Sequence, residues 1–297
     1  MPSLRPFLLA VIVVWAVAGC GPTAADGDDS GAGGGDASVG DGGSATDSGN
    51  PDPGPTDQCP EEAKLIYVVS QSYRFAQFDP RPDPPVFTII GDLACPANGA
   101  TPWSMSVDRS ARAWVLYSSG KIFWVDTKTA ACTDSGYVAN QQGYDHFGMG
   151  FVSNTPGGAE ETLFVSAEKA GLNTTYALGQ IDTSTLTLSI IAQIPGATYL
   201  AELTGSGSGR LWGFYPIATT PRIAEFDKTT GAEIAEFPLT LGPVGDFAFA
   251  YWNGSFWVFL GANVYKVSQA DGNMTQVLSG QEPVVGAGVS TCAPWVD

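Results

Sequence analysis

Short apolar segments separated by polar turns recur between residues 58 and 297, at intervals of about 45 to 55 residues. Each segment has the length and the aromatic and β-branched composition of a strand. Repeats of this length are typical of folds in which each repeat is one supersecondary unit packed against its neighbours. The two clearest copies cover residues 105–108, 113–117, 121–126 and 131–133, and residues 247–251, 255–260, 264–267 and 274–278.

Two looser copies lie between them, and an Asp that follows an apolar residue and precedes a short polar turn recurs along the whole repeat region. Such an Asp can accept backbone N–H bonds and tighten the turn. The sequence therefore predicts structural rather than catalytic roles for these aspartates, which are Asp79, Asp126, Asp182 and Asp227.

A fifth copy is divided between the two ends of the repeat region. Residues 65–69, 75–79 and 87–90 lack a leading strand, and residues 285–290 form a leading strand without followers. Joined, they complete a fifth unit. This resembles the closure of β-propellers, in which both chain ends share one blade and no sheet edge is left open. We therefore expect an all-β fold, a single β-propeller with five four-stranded blades; six or seven blades are the alternative.

The phrase MSVDRSARAWVLYSSGKIFWVD, residues 105–126, resembles the repeats of gluconolactonase-like, NHL and YVTN propellers. The resemblance covers roughly residues 60–295, rests mainly on structural positions and implies the fold rather than a function. Gluconolactonase-like enzymes hold a divalent cation with Glu, Asn and Asp side chains. No such set can be mapped onto this chain, so we expect no metal and no cofactor.

The amino terminus resembles that of a bacterial lipoprotein precursor. Arg5 precedes an apolar run over residues 7–18, which is too short to span a bilayer but is typical of a signal peptide. Val17-Ala18-Gly19-Cys20 matches the lipobox, which implies a signal peptide over residues 1–19 and acylation of Cys20 by diacylglycerol, with fatty acids such as palmitate. The alternative is an ordinary signal peptide that happens to end before a Cys. Gly21 favours the outer membrane by analogy with enterobacterial sorting.

The segment behind Cys20 has the composition of a disordered tether. Residues 21–57 contain eleven Gly, four Pro, eight Asp and no aromatic residue. They cannot bury enough apolar surface to offset chain entropy. We therefore expect lipidated Cys20 and a disordered linker over residues 20–57, and a propeller domain over residues 58–297.

The charge of the domain disfavours nucleic acid as a partner. Residues 58–297 contain 22 acidic and 12 basic side chains. A net negative field repels phosphate backbones, whereas nucleic-acid binders cluster Lys and Arg. The expected membrane attachment is the lipid on Cys20, and an envelope protein or a glycan is the expected partner.

Four cysteines remain once Cys20 is assigned to lipid, an even number that favours two disulfides in an oxidising compartment. The spacing leaves three pairings open and does not match a zinc site. The propeller-like closure implies that residue 59 meets residue 292. On that resemblance the pairs are Cys59–Cys292 and Cys95–Cys132.

Enzymes on propellers of this kind place their reactive groups at the central channel, so the segments that lead into the innermost strands are the places to look for a site. His146 is the single histidine, which excludes a polyhistidine metal site, and residues 205–209 (GSGSG) form a predicted hairpin turn rather than a nucleophile elbow. The candidate ligand-binding residues there are Trp103, Tyr144, Asp145, His146, Tyr199 and Asp246, with Glu202 slightly further in.

The favoured interpretation is a membrane-tethered extracytoplasmic domain for non-catalytic recognition or scaffolding, with no catalytic residue. An extracytoplasmic hydrolase of the lactonase or glycosidase type, with its site in the central channel, is the alternative. Asp145 and Asp246 are the one pair of carboxylates that could serve a glycosidase there. A structural component of the envelope is the third possibility.

Overall fold

The computed structural model describes residues 59–171, 173–194, 196–217, 220–242 and 244–296. The predicted signal peptide, Cys20 and the linker lie outside them. Within the described residues, one short 3-10 helix, Glu61–Lys64, precedes the strands, and no helix has the length and apolarity needed to cross a bilayer. In chain order the strands are β1 (Ile66–Ser70), β2 (Arg74–Asp79), β3 (Val86–Asp92), β4 (Pro102–Val107), β5 (Arg112–Tyr117), β6 (Ile122–Asp126), β7 (Cys132–Asp134), β8 (His146–Ser153), β9 (Glu161–Lys169), β10 (Thr175–Asp182), β11 (Thr187–Gln193), β12 (Glu202–Gly205), β13 (Leu211–Tyr215), β14 (Arg222–Phe226), β15 (Glu233–Pro238), β16 (Phe247–Trp252), β17 (Ser255–Leu260), β18 (Asn263–Ser268), β19 (Met274–Leu278) and β20 (Val284–Val289).

The strands form five antiparallel four-stranded sheets. Four sheets consist of consecutive strands: blade 1 of β4–β7, blade 2 of β8–β11, blade 3 of β12–β15 and blade 4 of β16–β19. The closing blade has the order β20-β1-β2-β3 and so contains both ends of the described chain. The predicted five-bladed architecture is confirmed, and the alternatives of six or seven blades are wrong.

Pairing between β20 and β1 closes the ring. The two strands are antiparallel, with Ile66 opposite Val289 and Val68 opposite Ala287. A disulfide between Cys59 and Cys292 joins the segments just outside this pair, and their Cα atoms are 5.8 Å apart. Among the described strands the closure leaves no innermost strand unpaired, and it brings the first and last described segments together as the divided repeat predicted.

The second disulfide ties the closing blade to blade 1. Cys95 follows β3, Cys132 begins β7, and their Cα atoms are 5.0 Å apart. The two predicted disulfides are therefore both present, one across the closure and one between neighbouring blades.

Each pair of neighbouring blades encloses its own apolar cluster, and the five clusters together complete the ring. Between blades 1 and 2, for example, the Trp114 and Phe151 rings meet edge to face with centroids 5.8 Å apart. Large aromatic side chains bury much area and favour such tilted contacts. The aromatic richness of the chain is therefore explained mainly by packing between blades.

Glycines on the innermost strands allow neighbouring blades to approach closely near the axis. A Cβ on Gly148 of β8 would lie 2.1 Å from the carbonyl oxygen of Ala201, and a Cβ on Gly205 of β12 would lie 2.1 Å from that of Phe151. Backbone of one blade thus contacts backbone of the next, which keeps the central channel narrow.

The repeated aspartates make turns, as predicted. Asp126, Asp182 and Asp227 each accept two backbone N–H bonds from the following turn. Hydrogen bonds from the nearby Ser and Thr residues lower the pKa of Asp182 and Asp227 to about 2. These carboxylates stabilise the connection between the third and fourth strands of their blades, outside the channel.

The turn at Asn253-Gly254 has the backbone conformation that its residue types favour. Asn253 and Gly254, between β16 and β17, have φ angles of 46° and 72°, the pair of positive values that a tight type I′ turn needs. Asp271-Gly272 differs, because only Gly272 has a positive φ, 70°, in a longer loop between β18 and β19.

Candidate functional site

A cavity of about 260 Å³ opens where the innermost strands begin, and we call it the mouth cavity. Trp103, Tyr199 and Asp246, three of the predicted site residues, line it together with Glu202. Trp103 and Glu202 belong to β4 and β12, and Asp246 directly precedes β16. The other described residues that line the cavity are Gln71, Thr101, Pro102, Leu200, Ile217, Gly245, Phe247 and Val285.

The Glu202 side chain reaches across the channel. Its Oε2 accepts a hydrogen bond of 2.9 Å from the Ser104 hydroxyl of β4. Blade 2 lies between the blades of these residues, so the bond joins blades that do not share a sheet or a strand pairing. Glu202 therefore lies between blades 1 and 3 and lines the mouth cavity.

Burial dominates the electrostatics of Glu202. The residue is 2% exposed, and loss of solvent raises the pKa of its carboxyl well above the usual range, while the Ser104 hydrogen bond acts in the opposite direction. A carboxyl without a nearby cation in such surroundings favours its neutral form. A buried carboxyl with a perturbed pKa, beside a cavity, marks a candidate functional residue.

Three aromatic residues, Trp103, Tyr199 and Phe247, line the cavity. The Tyr199 and Phe247 rings meet edge to face, with centroids 6.2 Å apart. Burial is the main cause that raises the pKa of the Tyr199 hydroxyl, with smaller contributions from the negative charges of Glu168 and Glu202. Tyr199 therefore stays neutral at physiological pH and can act as a hydrogen-bond donor.

His146 and Asp145 lie beside the cavity rather than in its wall. The His146 ring packs against Trp103, with centroids 4.6 Å apart, and its Nδ1 is 3.0 Å from Oδ1 of Asp145. Neither residue is among those that line the cavity with Asp246. Of the Asp145 and Asp246 pair that the sequence suggested, Asp246 alone lines the cavity, and His146 contacts Trp103.

Tyr144 is a packing residue. It is 4% exposed in the cluster between blades 1 and 2, and its hydroxyl accepts a hydrogen bond of 3.0 Å from Gln193 Nε2. Lys169 Nζ lies 5.6 Å from the centroid of its ring. Of the six candidates, three line the cavity, His146 contacts one of them, and Asp145 and Tyr144 lie outside it.

A second carboxyl, Glu161, ties blades together through contacts separate from the mouth cavity. The backbone N–H of Arg109 donates to Oε1 of Glu161 at 2.8 Å, and the Thr291 hydroxyl donates to Oε2 at 2.7 Å. Burial raises the pKa of Glu161 to about 7, although both hydrogen bonds act to lower it. Because blade 1, blade 2 and the segment after β20 meet here, we assign Glu161 a structural role.

In the described part of the chain, no three His, Cys, Asp or Glu side chains converge closely enough to hold a metal ion. Glu202 and Asp246 are the two carboxylates that line the mouth cavity. The chemistry available there is hydrogen bonding, aromatic contact and the two carboxyl groups.

Fold and site together define a five-bladed β-propeller, closed by its two ends, with an aromatic-walled cavity at the mouth of its channel. No family model matches the chain, and no curated protein matches it. Among solved structures, a nidogen/laminin complex is 14% identical, with 78% of this chain and 81% of that chain covered and a TM-score of 0.45. Regucalcin from Agrobacterium tumefaciens, a calcium-binding protein, is 12% identical over 78% and 76%, with a TM-score of 0.42. TolB from Acinetobacter baumannii is 12% identical over 72% and 52%, with a TM-score of 0.42.

The sequence placed Glu202 near the channel but gave no reason to select it as a site residue. The available signal was an acidic residue at the first position of an innermost strand, where most neighbours are apolar or small. Its hydrogen bond with Ser104, 98 residues earlier, cannot be recognised from the residues next to Glu202 in the sequence.

Proposed function

We propose that this protein is a lipid-anchored recognition domain of the cell envelope whose mouth cavity binds its ligand without catalysis. One observation carries the proposal: Trp103 and Tyr199 flank a cavity in which the buried carboxyl of Glu202 has Ser104 as its hydrogen-bond donor. Concave sites with aromatic walls and a few convergent polar groups are typical of ligand binding.

The proposed location rests on the lipobox and on the cysteines. Cys20 would carry the lipid, and the two disulfides suit an oxidising extracytoplasmic compartment. A Gly-rich linker over residues 21–57 would span roughly 30 to 36 Å by the square-root rule, enough to hold the propeller clear of lipid headgroups. The partner would be an envelope protein or a glycan, presented to the mouth cavity.

Binding can be tested with protein secreted as the Cys20→Ser variant, so that no lipid is attached. Saturation-transfer NMR would screen mixed small molecules, including sugars, amines and carboxylates, against this protein and against the same protein with Trp103→Leu and Tyr199→Leu. Tyr265→Leu, on β18 and away from the cavity, is the matched control. We expect hits that the double cavity variant loses and the control keeps; hits unaffected by the cavity variant would overturn the site.

Anchoring is tested separately in bacterial cells fed an alkyne-labelled palmitate. We expect label on the wild-type chain and none on Cys20→Ser, with the wild-type chain in the outer-membrane fraction. Label that persists in Cys20→Ser would contradict lipidation at this residue.

A hydrolase remains the second candidate, and Glu202 is the observation that favours it. A carboxyl with a raised pKa beside a second carboxylate, here Asp246, is a recurring arrangement for general acid and base catalysis. Turnover of chromogenic lactones or aryl glycosides, lost in both Glu202→Gln and Asp246→Asn, would support this function. Turnover that neither substitution changes would exclude this pair as its source.

A further inference from the structure

We propose that the mouth cavity selects an alkylammonium group, with Glu202 as its counter-ion and the Trp103 and Tyr199 rings as its walls. The inference rests on the proposed recognition function and adds the chemical class of the ligand.

The first step is that the described lining of the cavity has carboxyl groups but no basic side chain to pair with them. Among the described residues that line the cavity there is no Lys, Arg or His, although Glu202 and Asp246 both carry carboxyls. The Ser104 hydroxyl is a neutral donor to one oxygen of Glu202. An ionised carboxylate at this depth is costly without a paired cation. A ligand that brings a positive charge supplies the group that the cavity lacks.

The second step is the kind of cation that the walls accept. The faces of Trp and Tyr rings attract cations, with contributions of about 0.5 to 2 kcal/mol that increase as water is excluded. Trp103 is held in place by the His146 ring, and Tyr199 by Phe247. Aromatic walls with one buried carboxyl suit an organic ammonium on an alkyl chain, whose methylenes can contact Ile217 and Val285.

The third step separates an ammonium from a metal ion. Calcium takes six to eight oxygen ligands, usually with several carboxylates. The cavity has two carboxyls, and no three metal-ligating side chains converge in the described part of the chain. An alkylammonium needs fewer oxygens, because its three N–H donors can share Glu202, Asp246 and water.

The fourth step is the number of protons that the protein should release when the ligand binds. Burial favours neutral Glu202 in the empty protein, and a bound cation favours the carboxylate, so binding releases one proton where the empty site is protonated. The affinity then rises with pH until Glu202 is ionised without ligand, while an alkylamine keeps its proton to about pH 9. Titratable groups in the cavity and on elements packed near β12 are Tyr199, Asp246, His146, Glu161, Glu168, Lys169, Tyr215 and Tyr251.

The ammonium could come from a free amine or from a lysine side chain of a partner, and both present the same group to the cavity. The test therefore uses both as probes, n-butylamine and a short N-acetylated peptide with one lysine. Its neutral controls are n-butanol and the same peptide with the lysine acetylated.

Isothermal titration of the secreted Cys20→Ser protein, at several pH values and in two buffers of different ionisation enthalpy, measures affinity and proton release together. We expect at least one ammonium probe to bind at least tenfold more tightly than its neutral control, with proton release and with affinity that rises with pH. Glu202→Gln should weaken this binding at least tenfold, whereas Glu161→Gln, the same change at a partly buried carboxyl that does not line the cavity, should leave it unchanged. If n-butylamine binds more tightly, the ligand is a free amine; if the lysine peptide binds more tightly, it is a lysine side chain of a partner.

Equal binding of the neutral controls, or binding that survives Glu202→Gln, would overturn the ammonium assignment. Calcium that binds with Glu202 dependence and displaces the amine would overturn it as well. If the ammonium probes fail while another compound class binds at the cavity in the NMR screen, the ligand class is wrong and the recognition function stands; if no class binds there, the recognition function fails too.

Discussion

Ser104 Oγ of blade 1 donates a hydrogen bond of 2.9 Å to Glu202 Oε2 of blade 3, across the channel of the propeller. The bond holds the one fully buried carboxyl of the described mouth between these two blades. A narrow channel makes this reach possible, because glycines such as Gly148 let the blades approach backbone to backbone.

Removing the Ser104 hydroxyl should raise the pKa of Glu202 further. The hydrogen bond favours the ionised carboxyl and opposes the effect of burial. In Ser104→Ala the burial effect acts alone. Carboxyl ¹³C NMR of protein labelled at Glu, with the Glu202 signal assigned through Glu202→Gln, measures the change. The Glu161 signal in the same spectra is the internal control, and an unchanged or lower pKa for Glu202 would contradict the role given to Ser104.

Glu161 should make the folded protein less stable as the pH rises from about 4.5 to about 7. Its pKa is about 7 in the folded protein against an ordinary value of 4.5, so between these values the folded state binds more protons than the unfolded state. The free energy of unfolding then falls by up to about 1.4 kcal/mol per pH unit from this group. Below pH 4.5 both states are protonated and the contribution is fully present.

Urea denaturation of the wild type and of Glu161→Gln from pH 4 to pH 8 measures this contribution as a difference. We expect the difference to change steadily between pH 4.5 and pH 7 and to level off above. Glu160→Gln, the exposed neighbouring position, is the control and should follow the wild type. Parallel curves for wild type and Glu161→Gln would show that Glu161 does not titrate in this window.

The disulfide across the closure should stabilise the fold more than the disulfide between blades. Cys59 and Cys292 are 233 residues apart in sequence, and Cys95 and Cys132 are 37 apart. The chain-entropy model assigns about 5 kcal/mol to the longer loop and about 4 kcal/mol to the shorter one. Guanidinium denaturation of the two paired Cys→Ser variants tests the order. A larger loss from the Cys95 and Cys132 pair would contradict the dominant role of the closure.

Adding one methyl group to an innermost strand should lower the stability of the folded protein. A Cβ on Gly148 would meet the backbone of blade 3, which cannot move aside as a flexible side chain can. We expect Gly148→Ala to lower the free energy of unfolding by about 1 to 3 kcal/mol, the range for overpacked sites. Gly171→Ala is the control, because nothing lies within 4 Å of its Cβ position. Equal stability of the two variants would show that the blades can separate at little cost.

The repeats in the sequence favoured five blades, and their resemblance to propellers implied the closing blade and its disulfide. The repeats themselves are visible as local patterns: segments of strand length, Asp turns such as those at Asp126 and Asp182, and the Asn253-Gly254 hairpin. Such signals act over a few residues, so they can be recognised without knowledge of the ring. The divided fifth repeat then required the ends to meet, which Cys59 and Cys292 do.

Only the tertiary structure decided which residues line the mouth cavity. Trp103 and Tyr144 both precede or begin innermost strands, yet one faces the mouth cavity and the other is buried between blades. Which way a side chain faces depends on the tilt of its blade and on the radius of the ring, and both arise from contacts between residues far apart in sequence. The role of Glu202 could not be predicted from the sequence for the same reason. Its hydrogen bond with Ser104 and its burial exist only once blades 1 and 3 face each other across a narrow channel.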